Sequence, residues 1–162
     1  MRAFWLAVRS ITWVVLLPGV VAGYIPWAFF GLGDIYWSPE APGLYLGVVL
    51  VASGIALLAM CIWEFASRGR GTLSPVDPPK ELVVQGLYRY VRNPMYLAVA
   101  LIVLGEALLI ASLNLLLYWA FFFGVVNLFV MGYEEPTLRR QFGESYERYV
   151  RDVRRWIPRF RV

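Results

Sequence analysis

GLYRYVRNPMY, from Gly86 to Tyr96, and YEEP, from Tyr133 to Pro136, bracket about forty mostly apolar residues broken only near Ser112-Leu113-Asn114. A membrane-spanning α-helix needs roughly 20 apolar residues at about 1.5 Å each. Forty such residues cross a bilayer and return. The hairpin therefore brings Arg89, Arg92 and Asn93 to the same face as Glu134 and Glu135. Upstream, two further apolar runs complete a four-span pattern: Ile11–Phe30, Gly43–Phe65, Met95–Ala111 and Leu115–Gly132. The expected fold is an all-α integral membrane protein. About four transmembrane helices carry a polar loop and a C-terminal amphipathic helix.

Composition supports this. The 162 residues are 60% hydrophobic and 17% aromatic, above the 45–50% apolar content of soluble domains. The length suits one membrane-embedded domain covering residues 1–162. There is no histidine, which excludes Ser-His-Asp and Cys-His catalysis and every histidine-containing metal site. The one cysteine, Cys61, lies mid-span as a small apolar residue, so no disulfide and no metal is expected. All 15 basic residues fall before the first span, between the second and third, or after the fourth. The positive-inside rule then places both termini and both motifs in the cytoplasm, at a membrane such as the plasma (inner) membrane of a prokaryote. Arg2 and Arg9 precede an apolar run too long for a signal peptide, so a retained anchor is expected.

Within the spans, Pro18 and Pro26 predict a first helix that is bent or broken in two. Trp27, Tyr36 and Trp37 fit an outer aromatic belt. Gly47, Ser53 and Gly54 permit close helix approach. Glu64 fits either an interfacial carboxylate or one pointing into the polar site. Glu106 lies inside the third span, where carboxylates are costly; it fits a substrate or packing role, or a protonated or hydrogen-bonded group facing another helix. Residues 68–86 read as a proline- and glycine-punctuated loop over the cytoplasmic face. Leu138, Phe142, Tyr146, Tyr149 and Val153 recur at helical spacing with charges between them, and Gly143 is a candidate break. Such basic amphipathic helices lie in membrane interfaces; Trp156 and Phe160 would anchor the end.

S-adenosyl-L-methionine offers a carboxylate, an ammonium, a sulfonium, ribose hydroxyls and an adenine ring. Arginine suits the carboxylate. Glutamate accepts from hydroxyls or the ammonium. Tyrosine faces stack on adenine or attract the sulfonium. Tyr88, Arg89, Arg92, Asn93, Tyr96, Glu134 and Glu135 supply all these groups. On residue chemistry alone, an ion-pair cluster that merely orients the helices fits equally well.

The two motifs, with the preceding GTLSPVDPPKELV and the following FGESYERYVRDVRRWIP, resemble the isoprenylcysteine carboxyl methyltransferase and phospholipid methyltransferase superfamily over roughly residues 69–158. The resemblance implies an integral membrane enzyme that uses S-adenosyl-L-methionine near the cytoplasmic surface. It methylates a lipid-like acceptor entering from the bilayer, of isoprenylcysteine-carboxylate or phospholipid-amine type. The resemblance maps cofactor and catalytic roles onto Arg92, Asn93, Pro94, Tyr96, Glu134 and Glu135; with Gly86, Tyr88 and Arg89 from the first motif added, these make up the expected cofactor-binding set. The implied catalytic subset is Arg92, Asn93, Glu134 and Glu135. The isoprenylcysteine branch usually has histidine at the position of Asn93, and a glycine often stands at the position of Ala98. Asparagine hydrogen-bonds but exchanges no proton near neutral pH, so Asn93 is expected to bind rather than act as a base. Membrane lipids are the expected partners, with no nucleic acid. Competing classes are a sterol-reductase-like NADPH enzyme and a non-enzymatic membrane scaffold or carrier.

Overall fold

The computed structural model describes residues 16–31, 42–68, 82 and 84–159. Every regular element among them is helical. In chain order, α1 is Leu16–Phe30, α2 is Pro42–Arg68, α3 is Pro94–Leu109, α4 is Leu113–Phe142 and α5 is Glu144–Asp152. A four-residue 3₁₀ turn, Gly86–Arg89, precedes α3.

Two helices, in α2 and α4, are long and apolar enough to cross a membrane, where the sequence pattern led to four. The third expected span is short for a physical reason. Pro94 starts α3 at its first position, where proline loses nothing, and a tight corner stops the helix after 16 residues. There Ala111 adopts a left-handed conformation (φ 48°), the Ser112 N–H reaches back to the Ala107 carbonyl, and the Ser112 hydroxyl accepts from the Leu115 N–H at 3.2 Å. This is the hydrogen-bond pattern of a helix stop followed at once by a helix cap. The described part of the first span is α1, a 15-residue apolar helix. Its expected start at residues 11–15 lies outside the described residues, as do Tyr36, Trp37, Phe160 and most of the 68–86 loop.

α1 is not broken in two. It widens into a π turn at Val20–Tyr24, just before Pro26. A second correction concerns α4. The sequence suggested a span ending at Gly132 and a new helix after Pro136, but the backbone runs helically through YEEP to Phe142, again by way of a π turn at Val130–Glu134. About 20 residues at 1.5 Å each cross the hydrocarbon. Leu113–Gly132 meets that length, and the polar last turns of α4 project beyond it.

Small residues set the closest contact. A Cβ on Gly105 would come within 2.7 Å of the Gly47 carbonyl oxygen, and one on Gly54 within 2.8 Å of the Ala98 carbonyl oxygen. α2 and α3 thus meet backbone to backbone, as expected for Gly47 and Gly54; Ser53 faces outward. An added methyl there would cost on the order of 1–3 kcal/mol. Ala22, Val99, Ile102, Val103, Ala107 and Leu115 form the buried core between α1, α3 and α4. Leu117, Phe121, Val125 and Leu128 point away from it along one stripe of α4, a surface suited to lipid rather than water. Cys61 is fully buried. Glu106 is buried too, and its Oε2 has no hydrogen-bond partner among the described residues.

Past the apolar part of α4, Tyr146, Tyr149 and Val153 pack with Leu138 and Phe142, which is the stripe read from their spacing. Gly143 turns the chain between α4 and α5 with φ 51° and ψ −124°, a conformation open to glycine.

Candidate active site

Three segments converge at one end of the bundle: the Gly86–Pro94 stretch, the polar turns of α4, and the chain after α5. Backbone bonds join the first and third. The Arg92 N–H donates to the Arg154 carbonyl at 3.0 Å, and the Arg159 N–H to the Tyr90 carbonyl at 2.9 Å. Val91 and Arg154 form an isolated parallel bridge.

Glu135 is the hub. Its side chain is 6% exposed. Arg155 grips it with both edges of the guanidinium, Nε to Oε1 at 2.6 Å and Nη2 to Oε2 at 3.0 Å. Arg92 Nη1 lies 3.2 Å from Oε1. Burial opposes the charge on Glu135, but the Arg155 hydrogen bonds and the charges of Arg92 and Arg155 outweigh it and hold the carboxyl below its ordinary range. The same hydrogen bonds raise Arg155. Bidentate arginine–carboxylate pairs are the strong, orienting kind.

Glu134 has the opposite fate. Its Oε2 accepts from the Tyr96 hydroxyl at 3.3 Å, and no arginine pairs with it among the described residues. Burial pushes its carboxyl up; the Tyr96 bond pulls it partly back, and the neighbouring Glu135 charge adds to the rise. Adjacent carboxyls whose environments drive them apart can take different chemical roles.

The other expected site residues fall as follows. Gly86 opens the 3₁₀ turn at φ 61°. Tyr88 is half-buried; its carbonyl accepts from the Tyr149 hydroxyl at 2.7 Å, and burial, with the nearby Glu134 and Glu64 carboxyls, pushes its phenol up. Asn93 is buried, and its Nδ2 donates to the Arg155 carbonyl at 3.3 Å. Pro94 is buried at the start of α3. Arg89 stands apart: it is exposed, with its guanidinium 5.3 Å from the Tyr90 ring centroid. The structure thus gathers Tyr88, Arg92, Asn93, Tyr96, Glu134 and Glu135, and leaves Arg89 outside.

Arg155 escaped the sequence reading, in which it counted only as one basic residue of an amphipathic helix. The helix stops at Asp152 and the chain turns back over the site. Ile157-Pro158 was the available signal, because proline disfavours helix in the residue before it. Trp156 is tied down beside Arg155, with its Nε1 donating to Asn127 Oδ1 at 3.1 Å and its ring 5.0 Å from that of Phe123.

Arg92 has capacity to spare. Its side chain is 10% exposed, yet Nε and Nη1 are buried without a hydrogen-bond partner among the described residues; the contact of Nη1 to Glu135 is an ion pair outside hydrogen-bond geometry. Buried donors are ordinarily satisfied. The site therefore offers donors for an anionic group at Arg92 and an uncompensated carboxylate for a cationic group at Glu134.

An uncharacterized protein of Haemophilus influenzae is 38% identical over 63 residues, which is 39% of this chain and all of that protein. No solved structure matches the chain. A family model described as phospholipid methyltransferase matches residues 42–145, which takes in both motifs. With more than half its length so matched, the chain belongs to the phospholipid methyltransferase family, a branch of the membrane methyltransferase superfamily that its motifs resemble.

Proposed function

We propose that the protein is an S-adenosyl-L-methionine-dependent methyltransferase acting on the amine of a lipid-like acceptor at the cytoplasmic face of a four-span membrane domain. The observation that carries this is the buried guanidinium of Arg92, whose Nε and Nη1 make no hydrogen bond among the described residues, although Nη1 is ion-paired with Glu135. This guanidinium suits the carboxylate of the methyl donor. Arg92, Asn93, Tyr88, Tyr96 and Glu134 would hold the donor, with Glu135 and Arg155 fixing Arg92 and Asn93 in place. When bound, S-adenosyl-L-methionine supplies an electrophilic methyl group on sulfur.

Two features favour an amine over a carboxylate acceptor. The matched family is described by its phospholipid substrates. Glu134 carries no counter-charge among the described residues, so it attracts an ammonium and repels a second carboxylate. An ammonium must lose a proton before it is nucleophilic. Glu134 Oε2 is engaged by Tyr96, which leaves Oε1 to receive that proton. The acceptor reaches the site laterally from the bilayer.

Isothermal calorimetry with S-adenosylhomocysteine on detergent-solubilised protein tests the proposal. One saturable site per chain is expected, weakened about tenfold or more in Arg92→Lys, because lysine replaces a planar fork with a point charge. Absence of binding at millimolar ligand would sink it.

A further inference from the structure

We propose that Glu64, at the cytoplasmic end of α2, is a positioning residue for the donor site: its carboxylate latches the Gly86 turn and so aims Tyr88. The proposal rests on the methyltransferase reading given above.

Four observations converge. Both oxygens of the Glu64 carboxylate accept from the Leu87 N–H, at 3.1 Å and 3.2 Å. This ties α2 to the first residue of the motif after its glycine, across 22 intervening residues. Gly86 is left-handed at φ 61°, and a Cβ there would overlap the Glu64 carboxylate. Glycine is favoured for its backbone, and an added Cβ would have to push the Glu64 carboxylate out of its place on Leu87. Next in the chain is Tyr88, fixed from the other side by the Tyr149 hydroxyl at 2.7 Å. Burial pushes the Tyr88 phenol up, and the nearby Glu134 and Glu64 carboxyls add to the rise. Tyr88 is thus near both the latch and Glu134. Glu64 acts on the site through the Leu87 amide, and so through Tyr88.

The latch explains a feature that helix packing leaves open. The close-packed stretch of α2 and α3 runs from Gly43 and Leu108 to Gly54 and Ala98. Beyond Gly54, α2 continues for more than two turns to Glu64, and its end meets the motif by way of the carboxylate. A hydrogen bond to a carboxylate is stronger than one to a neutral acceptor, and this one ties the turn to the end of α2.

The test uses full-length protein in detergent with two readouts. Hydrogen exchange at the Leu87 amide reports the latch directly, and calorimetric binding of S-adenosylhomocysteine reports the positioning. Glu64→Ala should speed Leu87 exchange and weaken ligand binding, each by about tenfold or more, as expected for a lost charge-assisted bond. Glu64→Gln keeps an acceptor oxygen of the same reach and should retain binding within about threefold. Gly86→Ala should weaken binding more in wild type than in Glu64→Ala, because the overlap disappears with the carboxylate and only the φ strain remains. Normal Leu87 exchange in Glu64→Ala, or faster exchange with unchanged ligand affinity, would overturn the proposal while leaving the methyltransferase reading intact. So would strict additivity of the two substitutions. Failure of wild-type protein to bind the ligand at all would fail that reading first, and this role with it.

Discussion

The chain makes the same backbone manoeuvre twice. Val21-Ala22-Gly23-Tyr24-Ile25-Pro26 and Val130-Met131-Gly132-Tyr133-Glu134-Glu135-Pro136 share a Val-x-Gly-Tyr core and a proline shortly after it. In each, the residue before proline donates across five positions, from Ile25 to the Val20 carbonyl and from Glu135 to the Val130 carbonyl. Proline in a regular α-helix clashes with the carbonyl four residues earlier and gives no N–H in return. A one-turn widening relieves both problems without breaking the helix. The outcomes differ because the side chains differ. The first turn is apolar, and the Val21 carbonyl is used by the Tyr118 hydroxyl at 3.0 Å. In the second, two carboxylates stand between the tyrosine and the proline; one goes to Tyr96 and the other to Arg92 and Arg155. The widened turn is a generic answer to proline, and the charges placed on it make it a site.

The largest expected effect separates the two turns at matching positions. Glu135→Ala leaves Arg92 nearly buried beside a second guanidinium with no counter-charge. Removing one partner of such a cluster costs about 3 kcal/mol or more. Ile25→Val, at the corresponding point of α1, should cost about 1 kcal/mol. Denaturation in detergent measures both, and equal costs would erase the distinction. The pH dependence follows from the Glu135 shift. Its folded value lies below the ordinary 4.5, so its stabilisation is full above pH 4.5 and is lost as pH falls through the lower folded value. The gap between wild type and Glu135→Ala should close over that acid range.

Next in size is Glu134. Its carboxyl is raised above 4.5, and a base works only when deprotonated. The acid limb of methyl transfer to an amine acceptor should therefore lie above pH 4.5, with activity falling as pH drops through it. Glu134→Gln should lower turnover about a hundredfold and abolish that limb. A limb that persists in the variant would assign the proton to another group.

Much of this was legible in the sequence because it depends on hydrophobic length and on motif spacing. The α3–α4 hairpin, the meeting of Arg92 with Glu135, and the buried stripe ending at Val153 all follow from rise per residue and helical period. What was not legible depends on backbone detail. Proline marks a problem in a helix but does not say whether the chain breaks, kinks or widens, so α4 was cut at YEEP where it in fact continues. Arg155 was hidden by its context of seven other basic residues after the fourth span; only the chain reversal after Asp152 selects it. Glu64 admitted two readings, because the sequence does not show that the Gly86 turn returns to the end of α2.

The smallest expected effect tests whether the first turn is purely structural. Pro26 has no N–H to offer the Val21 carbonyl, five residues back, and Tyr118 from α4 supplies the missing donor. Tyr118→Phe removes that donor but keeps the ring, whose centroid lies 5.3 Å from that of Phe30. The carbonyl is then left in an apolar bundle with no donor replacing the hydroxyl. The net loss for one such bond is about 1 kcal/mol, read as a small drop in unfolding temperature. Affinity for S-adenosylhomocysteine should stay within about twofold, since Tyr118 lies at the other end of α4 from Glu134. A fall in affinity comparable to that of Glu134→Gln would mean that the turn in α1 is coupled to the site through α4, and the two widened turns would have to be treated as one functional unit.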